Sequence, residues 1–168
     1  SAACLRIFDV NLRQNFYSRE IIESSLGFAN VFKLNNDEVP VVADLLGLPK
    51  DEQAFVLSVA QRFDLHTVAL TRGAAGSLVW HKGSYDEKTA PKVAVVDTVG
   101  AGDSLLAGFI GKFKAGPVKA LATGVAWSSA AITSRGTGIS TLPTSIPTEL
   151  ISEIDPKEAS LREEQLSY

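Results

Sequence analysis

Cysteine, histidine and methionine are scarce in this sequence, and their scarcity excludes several kinds of site. The 168 residues contain one cysteine, Cys4, two histidines, His66 and His81, and no methionine. A single cysteine cannot form an intrachain disulfide or a multi-cysteine metal site, and we expect a reducing, cytoplasmic location. The two histidines are too few and too isolated for a metal cluster.

The sequence also lacks long apolar runs and any excess of positive charge. No apolar run approaches the roughly 20 residues that span a bilayer, so we expect no membrane association. The formal net charge is −3, and the lysines and arginines are scattered, so we expect no nucleic-acid partner. Because 45% of the residues are hydrophobic and 21% are charged, the chain can bury one ordinary core.

Short apolar segments alternate with amphipathic ones along the chain. We predict strands at 5–10, 30–34, 67–70, 77–81 and 93–96, helices after Ser18, Asn35, Asp51, Gly102 and Gly116, and a loop at 82–92. This alternation predicts an α/β fold with a mostly parallel sheet flanked by helices. In such sheets ligands bind at the carboxyl ends of the strands, where the polar motifs of this sequence occur.

A glycine-rich loop, DTVGAGD at 97–103, separates a predicted strand from a predicted helix. Gly100, Ala101 and Gly102 leave backbone amides open to an anion, and the helix N-terminus favours negative charge. Asp103 could accept a proton from an attacking hydroxyl. From the spacing alone, a tight turn in which Asp103 is only a helix cap is the favoured explanation of these residues.

The segment DTVGAGDSLLAGF, residues 97–109, resembles the C-terminal signature of the ribokinase/PfkB family of carbohydrate kinases. The resemblance implies a ribokinase-like α/β fold and an ATP-dependent sugar kinase. By position it implies that Gly100, Ala101 and Gly102 hold the transferred phosphoryl group and that Asp103 is the catalytic base.

Two further motifs are similar to nucleotide-site motifs of this family. Asn35 and Glu38, in an Asn-x-x-Glu pattern, would orient Mg²⁺-bound water and the ATP phosphates, although the same spacing describes a helix capping box. Thr71, Gly73 and Gly76, in TRGAAG, would contact the nucleotide, although a plain hairpin turn explains the glycines equally well.

The segment from Asp9 to Arg13, DVNLR, resembles the DxNxR segment of fructokinases and 2-keto-3-deoxygluconate kinases. Arg13 would then face the sugar or the phosphoryl group, and the alternative is an internal salt bridge to Asp9. Some family members bind a monovalent cation such as K⁺, for which Asp97, Val99 and the turn at 134–138 are candidates. Alternatively, Asp97 only fixes the loop by accepting backbone N–H groups.

The resemblance extends from about residue 5 to 147 and corresponds to the second half of a family member. We therefore expect residues 1–154 to be the C-terminal catalytic and nucleotide-binding part, without the lid and the N-terminal strands, and 155–168 to be a polar tail or surface helix. Fructose is the first substrate expected; 2-keto-3-deoxygluconate, ribose and nucleosides are alternatives. A homodimer through the missing lid region fits this reading. A non-catalytic half-domain that binds a nucleotide or a partner chain is the alternative of another class.

Overall fold

The computed structural model of the chain describes residues 4–14 and 16–133. The predicted cation turn at 134–138 and the predicted tail at 155–168 lie outside these residues. The chain divides into two compact units, Ser1–Lys92 and Val93–Tyr168.

Among its described residues, the first unit contains five strands and three α-helices. In chain order they are β1 (Ile7–Asp9), α1 (Arg19–Phe28), β2 (Val31–Asn35), α2 (Glu38–Leu46), α3 (Glu52–Arg62), β3 (Thr67–Thr71), β4 (Ser77–His81) and β5 (Ser84–Lys88). The strands form one sheet in sequential order, in which β1, β2 and β3 are parallel and β4 and β5 are antiparallel. The mostly parallel sheet with flanking helices confirms the predicted fold class.

Side-chain caps fix the starts of two helices where the sequence predicted them. Ser18 is the cap residue of α1, and its hydroxyl accepts a hydrogen bond from the Ile21 amide at 3.3 Å. Asp51 caps α3 in the same way, accepting from the Ala54 amide at 3.0 Å. Each cap satisfies a first-turn amide that has no helical acceptor.

The core of the first unit lies between the sheet and its helices. Helices α2 and α3 contribute Val39, Val42, Phe55 and Val59 among others, and each of these side chains is at most 1% exposed. The central strands β2 and β3 are buried along four of their five residues. Burial on both faces is the usual condition of parallel strands and explains why their buried residues, apart from Lys33 and Thr67, are apolar without alternation.

The predicted loop at 82–92 is wrong in its first half, because Ser84–Lys88 forms the edge strand β5. Lys82 and Gly83 connect it to β4 and have φ angles of 46° and 95°. Two consecutive positive φ values are typical of the two-residue hairpin turn whose twist matches that of antiparallel strands. The sequence SYDEK is polar because much of this edge strand faces solvent.

The second unit contains α4 (Ala101–Lys112) and α5 (Pro117–Ala131) among its described residues. Pro117 stands at the first helical position, as predicted. The predicted strand at 93–96 is wrong, since no strand forms there. Val95 and Val96 are 60% and 54% exposed, and the Val96 amide donates to the carbonyl of Ile132 rather than to a neighbouring strand. A strand needs such a neighbour as well as apolar side chains.

Candidate active site

In the first unit, the polar motifs lie at the carboxyl ends of the three parallel strands. Asp9, Asn35 and Thr71 are the last residues of β1, β2 and β3. Asn35 and Thr71 are register partners, and the Asn36 amide donates to the Thr71 carbonyl at 2.9 Å. The structure therefore brings the motifs at 9–13, 35–38 and 71–76 together at the carboxyl ends of the strands. Ligands bind at these ends in parallel sheets.

Asn35 and Glu38 form a reciprocal capping box at the start of α2. The Glu38 amide donates to Oδ1 of Asn35 at 2.9 Å, and the Asn35 amide donates to Oε2 of Glu38 at 2.8 Å. The second carboxylate oxygen, Oε1, accepts from the Leu12 amide at 2.8 Å. Glu38 is only 7% exposed. Both oxygens of this buried carboxylate thus serve the backbone, and remaining lone pairs could reach a metal only through its water shell.

The TRGAAG motif forms the connection between the antiparallel strands β3 and β4, as the hairpin alternative predicted. Gly73 has a φ of 55°, and a Cβ added there would meet open space. Gly76 has a φ of 98°, and a Cβ there would collide with the Lys88 carbonyl. Gly76 is therefore required by the fold. The backbone at Gly73 is accessible to a ligand, and nucleotide contact by Thr71, Gly73 and Gly76 stays a prediction.

Arg72, inside the same motif, was missed by the sequence analysis. Its Nε lies 2.7 Å from Oε2 of Glu52, and its Nη1 lies 3.3 Å from Oε1 of Glu87. The guanidinium therefore joins the first turn of α3 to β5. Only its position between Thr71 and Gly73 in the motif could have drawn attention to it, because both acidic partners are distant in sequence.

The predicted alternative for Arg13, a salt bridge to Asp9, is not formed. Both oxygens of Asp9 instead accept hydrogen bonds from Nζ of Lys33, at 2.9 and 3.0 Å. Arg13 is exposed and makes no ion pair with any described residue. Its guanidinium is thus available to an anionic or hydroxyl-rich ligand.

In the second unit, the glycine loop leads directly into α4. Gly100 is the cap residue, with left-handed angles of φ 80° and ψ 0°. Before it, Oδ1 of Asp97 accepts from the Val99 amide at 3.0 Å. This contact supports the alternative in which Asp97 fixes the loop, and the cation role of Asp97 and Val99 stays a prediction. The Ala101 amide donates to the Thr98 carbonyl at 3.2 Å, and among the described residues the amides of Gly102 and Asp103 find no acceptor.

Asp103 lies in the first turn of α4 and is exposed. Its carboxylate accepts no hydrogen bond within the part of the chain that the structure describes, and the cap position belongs to Gly100. The helix-cap reading of Asp103 is therefore not what the geometry shows. A carboxylate with free lone pairs beside unpaired helix amides is arranged to accept a proton near a bound anion.

Two kinds of feature are absent from residues 4–14 and 16–133. No group of three or more histidine, cysteine, aspartate or glutamate side chains is placed to hold a metal. None of the helices in these ranges has both the length and the apolar character needed to cross a bilayer.

Comparison with known proteins decides the family. The model of the pfkB family carbohydrate kinases matches residues 1–145. The chain belongs to this family. Among curated proteins, it is 33% identical over 125 residues to a 2-dehydro-3-deoxygalactonokinase from Haloferax volcanii, covering 71% of this chain and 38% of that protein. It is 30% identical over 113 residues to a fructokinase from Salmonella thompson, covering 64% of this chain and 49% of that protein.

A solved structure supports the same assignment. The fructokinase of Vibrio cholerae O395, with fructose, ADP and calcium ion bound, is 25% identical with a TM-score of 0.67, over 89% of this chain and 50% of that chain. The pfkB chain described here thus spans half or less of the length of these relatives. The ribokinase-like fold is shown by this similarity.

Proposed function

We propose that the protein containing this chain is an ATP-dependent sugar kinase that transfers the γ-phosphoryl group to a primary hydroxyl, with fructose as the first candidate acceptor. The observation that carries this proposal is Asp103, an exposed carboxylate without a partner among the described residues, beside the unpaired amides that begin α4. Membership of the pfkB carbohydrate kinases supplies the reaction class.

In the proposed reaction, the acceptor hydroxyl oxygen attacks the γ-phosphorus while its proton passes to the Asp103 carboxylate. The bond from the γ-phosphorus to the bridging oxygen breaks, and ADP leaves. The amides of Gly100 and Gly102 would stabilise the negative charge on the transferred group, aided by the N-terminus of α4, and Ala101, whose amide donates to the Thr98 carbonyl, would hold the loop between them.

The residues at the carboxyl ends of the parallel strands in the first unit would bind the nucleotide. Asn35 and Glu38 would orient water molecules of Mg²⁺, which would neutralise phosphate charge when it is bound with ATP. Thr71, Gly73 and Gly76 would lie against the nucleotide, and Arg13 would contact the acceptor sugar. K⁺ near Asp97 and Val99 remains part of the proposal.

The choice of fructose rests on the DVNLR segment and on fructokinases among the relatives. The Haloferax volcanii relative keeps a 2-keto-3-deoxy sugar acid as the second candidate. Ribose and nucleosides are further candidates from the same family.

The test is turnover with ATP and Mg²⁺ on fructose, 2-keto-3-deoxygluconate, ribose and inosine, measured on the natural polypeptide that contains these 168 residues. We expect the highest kcat/KM with fructose. Asp103→Asn should lower kcat by about 10²- to 10⁴-fold, because the proton acceptor is lost while the side-chain shape is kept. Unchanged kcat in this variant would refute the base assignment.

Glu20→Gln is the matched control, because Glu20 is an exposed carboxylate in the first turn of α1. It should leave kcat unchanged, which separates the role of Asp103 from a general effect of removing a helix-terminal charge. Phosphorylation of ribose but not of fructose would overturn the substrate choice. If no acceptor is phosphorylated, the kinase proposal is wrong and the alternative of a non-catalytic binding domain is favoured.

A further inference from the structure

We propose that Lys33, which lies outside the Asn35–Glu38 motif, is a positioning residue: through Asp9 it holds the segment that presents Arg13 to the acceptor sugar. This inference rests on the proposed kinase function. According to this inference, the affinity for the acceptor depends on the Lys33–Asp9 ion pair as well as on the residues that contact the sugar.

The first observation is the burial and geometry of the pair. Lys33 is 8% exposed, and its Nζ lies 2.9 and 3.0 Å from the two carboxylate oxygens of Asp9. The two residues are register partners in the parallel strands β1 and β2. Asp9 is the last residue of β1, so the contact fixes the point at which the chain leaves the sheet.

The second observation is that the segment after Asp9 is anchored again on the same neighbouring elements. The Val10 amide donates to the Lys33 carbonyl at 3.2 Å, and the Leu12 amide donates to Glu38 at 2.8 Å. Between these anchors Asn11 has a φ of 39°, a left-handed conformation that non-glycine residues seldom adopt without support. Arg13 follows directly and is itself exposed.

In addition, an ion pair of this kind contributes little to the free energy of folding. Removing two charges from water is costly, and an apolar pair of similar size stabilises a core at least as well. The side chains of Lys33 and Asp9 are 9% and 17% exposed, and such a largely buried pair at the strand ends that carry three ligand-binding motifs fits a positioning role. Its geometric precision matters because small misplacements of a binding group reduce catalytic efficiency steeply.

The experiment compares Lys33→Met, Asp9→Asn and the double variant Asp9→Asn/Lys33→Met in the natural polypeptide, with KM measured separately for acceptor and ATP. The double variant leaves neither charge without its partner. We therefore expect it to fold even if one of the single variants does not. We expect kcat/KM for the acceptor to fall by about 10²-fold, mainly through KM, with the KM for ATP within about twofold of wild type.

Arg62→Met is the matched control, since Arg62 pairs with Glu23 at 2.8 Å between helices, away from the strand ends. It should reduce thermal stability without moving the acceptor KM. Lys33→Arg, which restores the charge, should recover part of the acceptor affinity.

Three different results would overturn the role of Lys33, and the measurements distinguish them. If the unmodified protein phosphorylates its sugar and the folded double variant keeps the acceptor KM, Lys33 does not position Arg13. An equal rise in the KM for acceptor and ATP would show a merely structural pair. If the unmodified protein phosphorylates no sugar, the kinase function itself fails and the positioning role fails with it.

Discussion

At the residue scale, two glycines of one motif have different physical reasons to be glycine. Gly73 has a φ of 55° and open space where a Cβ would lie. Gly76 has φ 98° and ψ −143°, and its missing Cβ leaves room for the Lys88 carbonyl and for Thr89. A Cβ at Gly73 would cost only the free energy of an unfavourable backbone conformation. A Cβ at Gly76 would add a collision with backbone atoms that no rotamer change relieves.

The two substitutions therefore form a matched pair. Gly73→Ala should lower the free energy of unfolding by about 1 kcal/mol, the cost of a left-handed alanine. Gly76→Ala should lower it by about 2–4 kcal/mol, because strain and the collision with Lys88 add together. Urea denaturation measures both values. Equal losses would show that β5 moves away from Gly76 at little cost.

Sequence reasoning reached some of these residues and missed others for identifiable reasons. The Asn35–Glu38 spacing predicted the capping box, because such a box depends only on local geometry. A salt bridge from Asp9 to Arg13 was one of two alternatives that the sequence left open, and the partner in the structure is Lys33. Cross-strand partners depend on register, which residues 24 apart in sequence do not reveal.

At the scale of elements, helices α4 and α5 approach closely at two small residues. A Cβ on Gly108 would lie 2.9 Å from the Thr123 carbonyl and 3.0 Å from Cα of Gly124. A Cβ on Gly124 would lie 2.6 Å from the Leu105 carbonyl. Because backbone atoms meet backbone atoms, the helices cannot accommodate a methyl group without moving apart.

Gly108→Ala should consequently lower the free energy of unfolding by about 1–3 kcal/mol, although alanine is the better helix former. Gly111→Ala is the control on the same helix, since a Cβ there meets nothing within 4 Å. It should raise the free energy of unfolding by about 0.5–1 kcal/mol. Both are measured by denaturation followed through Trp127 on α5. A stabilised Gly108→Ala variant would contradict the close contact.

The same scale shows why one strand was missed and another was predicted wrongly. β5 is polar because it is an edge strand, so its sequence resembles a loop, and only the Lys82–Gly83 turn reveals it. The apolar residues at 93–96 indicated a strand, yet strand formation depends on a hydrogen-bonding neighbour supplied by another part of a fold. Helices, whose hydrogen bonds are internal, were predicted more reliably than edge elements.

At the scale of the whole molecule, the chain has two units and one tryptophan in each, Trp80 and Trp127. The clustering of three motifs at the carboxyl ends of the strands in the first unit followed from the parallel-sheet rule, whereas the sequential strand order was not predicted. The division after Lys92 was not predicted, although the chain changes there from the polar segment 82–92 to the apolar residues 93–96.

His81 provides the link between pH and the stability of the first unit. Burial of the imidazole lowers the pKa of His81 below its usual 6.5, and Lys82 and His66 lower it further, while Asp86 acts in the opposite direction. Nδ1 of His81 is also 2.7 Å from the Thr67 hydroxyl. The folded state thus favours the neutral ring.

The unfolded chain therefore binds more protons than the folded chain once the pH falls below about 6.5. The free energy of unfolding should be constant between pH 8.5 and 7.5 and should decrease as the pH is lowered from about 7 to 5.5, above the range in which most carboxylates titrate. His81→Gln should flatten this decrease, because glutamine does not titrate. Urea denaturation of Trp127→Phe proteins, with and without His81→Gln, reports the first unit through Trp80, the neighbour of His81 on β4. An equal slope in both proteins would show that another group carries the pH dependence, and a rise in stability on acidification would contradict the lowered pKa itself.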